Sequence, residues 1–243
     1  MRFRPALVPT LFSAVGLFIL INLGAWQLRR NTETKARVAE IEQGLAAKPR
    51  ENADLTNDWE KHQWHLAKLT GEYTGETLFV GGRFEFGDIG YDLVQAFQVE
   101  NGPLILVNRG WIPRTDYRAT VAATTPPTGI TTVEGLLIPV EDDPLASPAP
   151  PGKESPERWK QNQYSAMARH QGISTPPLAL VLGERLEAGK DKDRSKYPAT
   201  GFRPTPKQLP HLEYAATWFL IAGTLVVIWG VAGVRRGSRS ENA

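Results

Sequence analysis

Apolar residues in this chain collect in two blocks near its ends, with a more polar stretch between them. The first block runs from Ala6 to about Leu28 (ALVPTLFSAVGLFILINLGAWQL) and the second from His211 to Val234 (HLEYAATWFLIAGTLVVIWGVAGV). At about 1.5 Å rise per helical residue, each is long enough to cross a hydrocarbon core of roughly 30 Å. The pattern predicts transmembrane helices over 9–28 and 211–234. After the first, Val38, Ile41 and Leu45 recur on one helical face, which predicts an amphipathic helical extension over 29–48, ended by Gly44 or the Lys48-Pro49 step.

From there the period changes from helical to strand-like. Trp64–Tyr73 alternates, Leu78–Gly81 is a second short apolar run, and a Gly-rich loop is expected over Gly81–Gly90. Tyr91–Val99 and Leu104–Ile112 flank the turn signal Glu100-Asn101-Gly102-Pro103, a hairpin pattern. Thr131–Val140 and Leu178–Leu182 add strands, and Tyr164 opens a short helix closed by Gly172. Asp142–Pro156 holds five prolines and reads as a loop. The fold class is therefore a membrane protein, with two transmembrane helices flanking a mainly antiparallel β (α+β) extracytoplasmic domain over 49–210, either an open sheet or a small barrel.

Composition changes little in that picture. The mean hydropathy of -0.31 would describe a soluble protein, but it averages the terminal blocks with a polar middle. The absence of cysteine excludes disulfides, thiolate ligands, a Cys nucleophile and covalent c-type haem attachment. A formal net charge of +2, with no basic cluster interleaved with aromatics, argues against nucleic acid as a partner. The first block could be a cleaved signal peptide, but it exceeds the usual apolar region, lacks a small-residue cleavage site and ends in Trp26, an interfacial anchor. It reads as an uncleaved anchor. Arg2 and Arg4 before it, and Arg235, Arg236 and Arg239 after the second block, place both ends (1–8 and 235–243) in the cytoplasm. Arg29, Arg30, Lys35 and Arg37 favour the opposite orientation, yet long domains translocate largely regardless of charge. The expected location is a bacterial inner membrane with the central domain periplasmic.

Candidate chemistry centres on His211, an ionisable residue at the mouth of a membrane span. On a helix it shares a face with Tyr214, Ala215, Trp218 and Ala222. That face pairs an imidazole able to ligate haem iron with aromatic surface; an interfacial belt of His, Tyr and Trp accounts for the same residues equally well. Asn22, polar within the first span, reads as an interhelical hydrogen bond or a ligand contact. His62 and His65, three residues apart, diverge on a strand and make a poor metal pair; His170 suits the C-terminal end of the short helix. No G-x-S-x-G, H-E-x-x-H or P-loop is present, so an enzyme is not expected.

Several segments together resemble the Surfeit locus protein 1 family. Leu23-Gly24-Ala25-Trp26-Gln27-Leu28-Arg29-Arg30 is similar to its L-G-x-W-Q-x-x-R, Thr70-Gly71-Glu72-Tyr73 to its T-G-x-Y, and Gly90-Tyr91 to its G-Y step. Val107-Asn108-Arg109-Gly110-Trp111-Ile112-Pro113 resembles V-N-R-G-W-[VI]-P, and Val133-Glu134-Gly135-Leu136-Leu137 a later strand. His211-Leu212-Glu213-Tyr214-Ala215-Ala216-Thr217-Trp218-Phe219 matches H-L-x-Y-A-x-T-W-F. Where the family usually has Asn before this histidine, the chain has Leu209-Pro210.

The resemblance implies an assembly factor for cytochrome c oxidase, a haem-copper oxidase. It implies haem a bound through His211, with Tyr214, Trp218 and Trp26 around the ring, and delivery of haem to oxidase subunit I. Haem a synthase, subunit I and the lipid bilayer are then the expected partners. An alternative is a scaffold without haem that stabilises an oxidase intermediate through its periplasmic domain. Asn108, Arg109, Gly110 and Trp111 form the other candidate site, as a partner surface, a propionate contact through Arg109, or an architectural strand end with Gly110 easing a bulge.

Overall fold

The computed structural model describes the chain except residues 1, 2, 4, 56, 57, 116, 142, 154, 161, 162, 188, 189, 194, 205–209 and 240–243, and the side chains at 123 and 237–239. Arg2, Arg4, Asp142, Leu209 and the side chain of Arg239 thus lie outside the described residues. The regular elements are α1 (Leu7–Ala46), β1 (Leu66–Glu85), β2 (Asp88–Val99), β3 (Leu104–Pro113), α2 (Tyr117–Ala123), β4 (Thr131–Pro139), α3 (Tyr164–His170), β5 (Leu178–Leu182) and α4 (His211–Arg239). They divide into two compact units, Met1–Ala39 with Pro206–Ala243, and Glu40–Thr205.

The first unit is a pair of antiparallel helices. Gln27 meets His211 at one end, and Thr10 Oγ1 accepts a hydrogen bond from Trp229 Nε1 at 3.0 Å towards the other. Small residues let the helices approach: Ala215 and Ala222 are buried, and a Cβ on Gly24 would lie 2.7 Å from the Phe219 ring. Large apolar side chains such as Phe12, Phe18, Leu220 and Val227 face outwards. Both helices are long and apolar enough to cross a membrane, and only 6% and 11% of their most apolar windows are buried. Asn22 does not bridge them: its amide donates to Phe18 O on its own helix at 2.7 Å, the local partner an exposed polar side chain finds most cheaply.

The second unit is a closed barrel with strand order β1-β2-β3-β5-β4. Its neighbours pair antiparallel except β3 with β5, which are parallel. The barrel interior is the cluster to which all five strands contribute, including Leu69, Phe97, Val107, Leu137 and Leu180. A second cluster lies where α3, through Ala166 and Met167, covers Val94, Ala96, Leu106 and Ala179 on the outer face. Being packed on both faces is why β2 and β3 are almost continuously buried and read in the sequence as apolar runs rather than clean alternation.

The β2–β3 hairpin forms at the expected turn, with Asn101 in the left-handed region and Gly102 N–H donating to Val99 O. The Gly-rich loop expected over Gly81–Gly90 is instead strand. β1 continues to Glu85, and Phe86-Gly87, both with positive φ, turn it directly into β2. Register shifts at Thr74/Leu78 and Gly81/Arg83 absorb Gly75 and Gly82, so these glycines serve bulges rather than a loop. β1 is consequently one strand of 20 residues, its first part paired to β4 and its second to β2.

Candidate functional site

His211 opens α4 and is buried, and its Nδ1 lies 2.8 Å from Gln27 Oε1 on α1. With that amide oxygen as the facing atom, Nδ1 donates, which in a neutral imidazole leaves the lone pair on Nε2, the tautomer an iron ligand requires. Gln27 also holds the ring orientation. By donor chemistry the residues present therefore fit an imidazole-ligated iron. The seam beneath the imidazole is filled, with Ala215 buried and Phe219 lying over Gly24.

The aromatic residues of the predicted face part company here. Successive helical residues turn by about 100°, so Ala215 and Ala222 stay close to the line of His211 while Tyr214 falls to one side. Tyr214 is 52% exposed and Trp26 is 51% exposed, whereas Trp218 is half-buried. Aromatic surface is thus available on the flank of the pair rather than within its seam.

The Asn108–Trp111 segment is built around a bulge. Val94 pairs with Asn108 and Leu93 with Gly110, which leaves Arg109 as the extra residue. The bulge sends neighbouring side chains to different faces. Asn108 lies on the outer face, where its amide donates to Asp92 Oδ2 at 3.2 Å and to the Tyr164 hydroxyl at 3.3 Å. Arg109 donates to Gln95 Oε1 at 3.2 Å and to Thr124 O just beyond α2, and its guanidinium stands 5.5 Å above the Tyr73 ring. Burial pushes the Arg109 pKa down and the Tyr73 phenol up to about 12. Arg109 is therefore turned to protein groups, a latch between β3 and the end of α2.

Gly110 has φ +117, and a Cβ there would lie 2.7 Å from Ala199 O. Trp111 is fully buried, donates Nε1 to Arg83 O at 3.1 Å, and exchanges backbone hydrogen bonds with Ala199. The described residues around Ala199 thus lie across the outer face of the barrel as a strap pinned at Trp111.

The remaining histidines are apart from both places. His65 is engaged on both nitrogens, with Gln63 O at 2.9 Å and Arg50 Nη2 at 3.0 Å. His62 is buried with neither ring nitrogen hydrogen-bonded among the described residues, and burial, then the charges of Arg50 and His65, hold its pKa below the ordinary imidazole value. His170 ends α3, 3.3 Å from Glu157 and stacked edge-on against Trp159. Among the described residues no group of three His, Asp or Glu side chains comes together as a metal site.

Three contributors escaped the sequence reading: Gln27, Asp92 and Tyr164. Asp92 carried a visible signal, the one carboxylate inside the mostly apolar run Tyr91–Phe97. Gln27 carried one too, because it stands at the end of the first apolar block as His211 stands at the start of the second.

Comparison with known proteins covers nearly all of this architecture. A family model described as the SURF1 family matches residues 14–223. The chain is 27% identical over 222 residues to a SURF1-like protein of Rickettsia bellii, covering 89% of this chain and 87% of the relative. It is 28% identical over 216 residues to one of Rickettsia felis (87% and 90% coverage), and 24% identical over 246 residues to one of Caenorhabditis elegans (91% and 70%). The match begins inside the first apolar helix, passes through every strand of the barrel and ends within the second helix, and the chain belongs to the SURF1 family.

Proposed function

We propose that this protein is a membrane-anchored assembly factor for a haem-copper (cytochrome c) oxidase, one that binds haem a and passes it to oxidase subunit I. The observation that carries the reading is His211, held at Nδ1 by Gln27 with Nε2 left as a ligand. In this reading His211 ligates the iron, and Tyr214, Trp218 and Trp26 offer aromatic surface to the macrocycle. Haem a, when bound, would supply an iron that the His211 imidazole could ligate. The chain's own part is to orient the imidazole and hold its proton on Nδ1. The role in this reading is binding and transfer rather than catalysis.

The setting proposed for it is a bacterial inner membrane. Two helices whose large apolar side chains face outwards are suited to lipid, where a soluble protein would bury them. Both termini are placed in the cytoplasm and the barrel in the periplasm, with oxidase subunit I, haem a synthase and the bilayer as partners.

The test is the absorption spectrum of the detergent-purified full chain co-produced with haem a synthesis. A haem a Soret band should be present, absent in His211→Ala, and about 10–100-fold weaker in haem affinity in Gln27→Leu. An unchanged band in His211→Ala overturns the ligand assignment. One observation favours a scaffold without haem: the seam at His211 is closed by Gly24, Phe219 and Ala215. Co-purification of oxidase subunits with His211→Ala, accompanied by normal haem insertion, would select that second reading.

A further inference from the structure

One face of the barrel runs out uncovered at the turn between β1 and β2. Further along that face Tyr91 and Leu93 of β2 are buried with Ile112 of β3, and Phe79 of β1 and Tyr117 and Val121 of α2 pack against them. Side chains two apart on a strand share a face, so Ile89 continues this one towards the turn. Phe84 is the direct partner of Ile89 across the hairpin and stands on the same face. There the covering stops: Phe84 is 68% exposed and Ile89 43%. The opposite face of the turn is packed. A Cβ on Gly90 would lie 2.4 Å from the Trp111 ring, and Phe86 leans edge-on against that ring at 5.4 Å. The bare pair therefore stands on a supported turn.

Single apolar side chains on a surface call for no explanation, but an adjoining pair with a consistent border does. Arg114 donates its backbone N–H to Ile89 O at 3.1 Å, which places it beside Ile89 on the side away from Phe84. Arg118 follows on α2, its guanidinium 5.3 Å from the Tyr117 ring, and both arginines are exposed. Asp88, the acid of the turn, has Oδ1 turned back to the Ile89 N–H at 2.7 Å. Apolar side chains edged by arginine suit the boundary of a phospholipid leaflet, where the former enter the acyl region and guanidinium groups pair with phosphate. Chain length permits the contact. Ala199 exchanges backbone hydrogen bonds with Trp111, and the second apolar helix opens at His211. At about 3.5 Å per extended residue the chain between them spans at most roughly 40 Å.

We propose that the turn between β1 and β2 is a bilayer-contact element, with Phe84 and Ile89 among the upper acyl carbons of a phospholipid leaflet and Arg114 and Arg118 on the phosphates. The contact gives the barrel an attachment to the membrane besides the two helices. From the function proposed above it takes only the bilayer, and it does not depend on haem.

The chain has no cysteine, so single nitroxide labels can test this in the full chain reconstituted into phosphatidylcholine liposomes. Electron paramagnetic resonance compares the access of each label to oxygen, which concentrates in lipid, and to a water-soluble nickel chelate. Labels at Phe84→Cys and Ile89→Cys should be open to oxygen and shielded from nickel, as should one at Ile228→Cys, exposed on α4. A label at Ser147→Cys, exposed on the barrel unit, should be open to nickel. Adding Arg114→Gln and Arg118→Gln together should shift the Phe84→Cys label towards the Ser147→Cys value, with an unchanged circular dichroism spectrum. A Phe84→Cys label as open to nickel as Ser147→Cys, while Ile228→Cys stays shielded, overturns the proposal and leaves the face to a protein partner. Nickel access at Ile228→Cys as well overturns the bilayer reading itself. A label that does not move in the double arginine variant overturns the part given to Arg114 and Arg118.

Discussion

In the barrel, Leu69, Phe97, Leu137 and Leu180 are wholly buried, whereas in the helix pair Phe12, Phe18, Leu220 and Val227 face outwards and the seam is left to Gly24, Ala215 and Ala222. Polar groups divide in the same way. The barrel buries a network of Arg83, Asp92, Asn108 and Tyr164, while the helix seam has isolated pairs, His211 with Gln27 and Trp229 with Thr10. The difference teaches that the two regions are built by opposite rules, one hiding its apolar side chains and the other presenting them. Water drives the barrel residues together, and the helices rely on close backbone approach and a few hydrogen bonds, the pattern suited to association within lipid.

The largest expected effect lies where the barrel tolerates no side chain. Gly110→Val meets both a forbidden φ and the Ala199 carbonyl, and should cost about 3 kcal/mol or more, read as loss of folded yield and a lowered thermal midpoint. Truncating apolar residues then tests this contrast directly. Leu137→Ala, in the closed interior, should cost about 2–5 kcal/mol. Ile228→Ala, 61% exposed on α4, should change stability in detergent by less than about 0.5 kcal/mol. Comparable losses at both positions would contradict the division drawn above. Within the seam, Trp229→Phe removes the hydrogen bond to Thr10 and should weaken helix association by about 0.6–1.7 kcal/mol, measurable by steric trapping or a helix-association assay.

The smallest effect concerns pH. The pKa of His62 is lowered from 6.5, by burial first and then by Arg50 and His65, against the opposing charges of Asp54 and Asp58. The unfolded chain therefore binds a proton that the folded one refuses. The contribution of His62 to stability is complete above 6.5 and is lost as pH falls from there towards the folded pKa. The thermal midpoint should decline over that window, and His62→Leu should flatten the decline.

Much of the barrel was legible because its signals are local. The alternation in Trp64–Tyr73, the apolar runs at Tyr91–Val99 and Leu104–Ile112 and the turn between them each depend on a few adjacent residues. The error at Gly81–Gly90 has the same origin: glycine marks a loop and a bulge alike, and only the partner strand distinguishes them. Motif glycines share one cause that no single strand reveals. A Cβ at Gly71, Gly90 or Gly135 would come within 2.1 Å of a carbonyl oxygen on a neighbouring strand.

What could be known from residue order alone was the kind and place of most elements: two apolar helices, a β-rich middle, a histidine where the second helix begins. Hydrophobic period, turn chemistry and apolar length are properties of contiguous segments, so they survive without a fold. What needed the fold was every pairing across long separations. The bulge at Arg109 sends Asn108 and Arg109 to different faces; β1 closes the barrel by pairing with both β2 and β4; and Gln27, 184 residues away in sequence, holds His211. Such contacts are set by which surfaces meet when the chain packs, and that information is carried by all the strands and helices together rather than by any one of them.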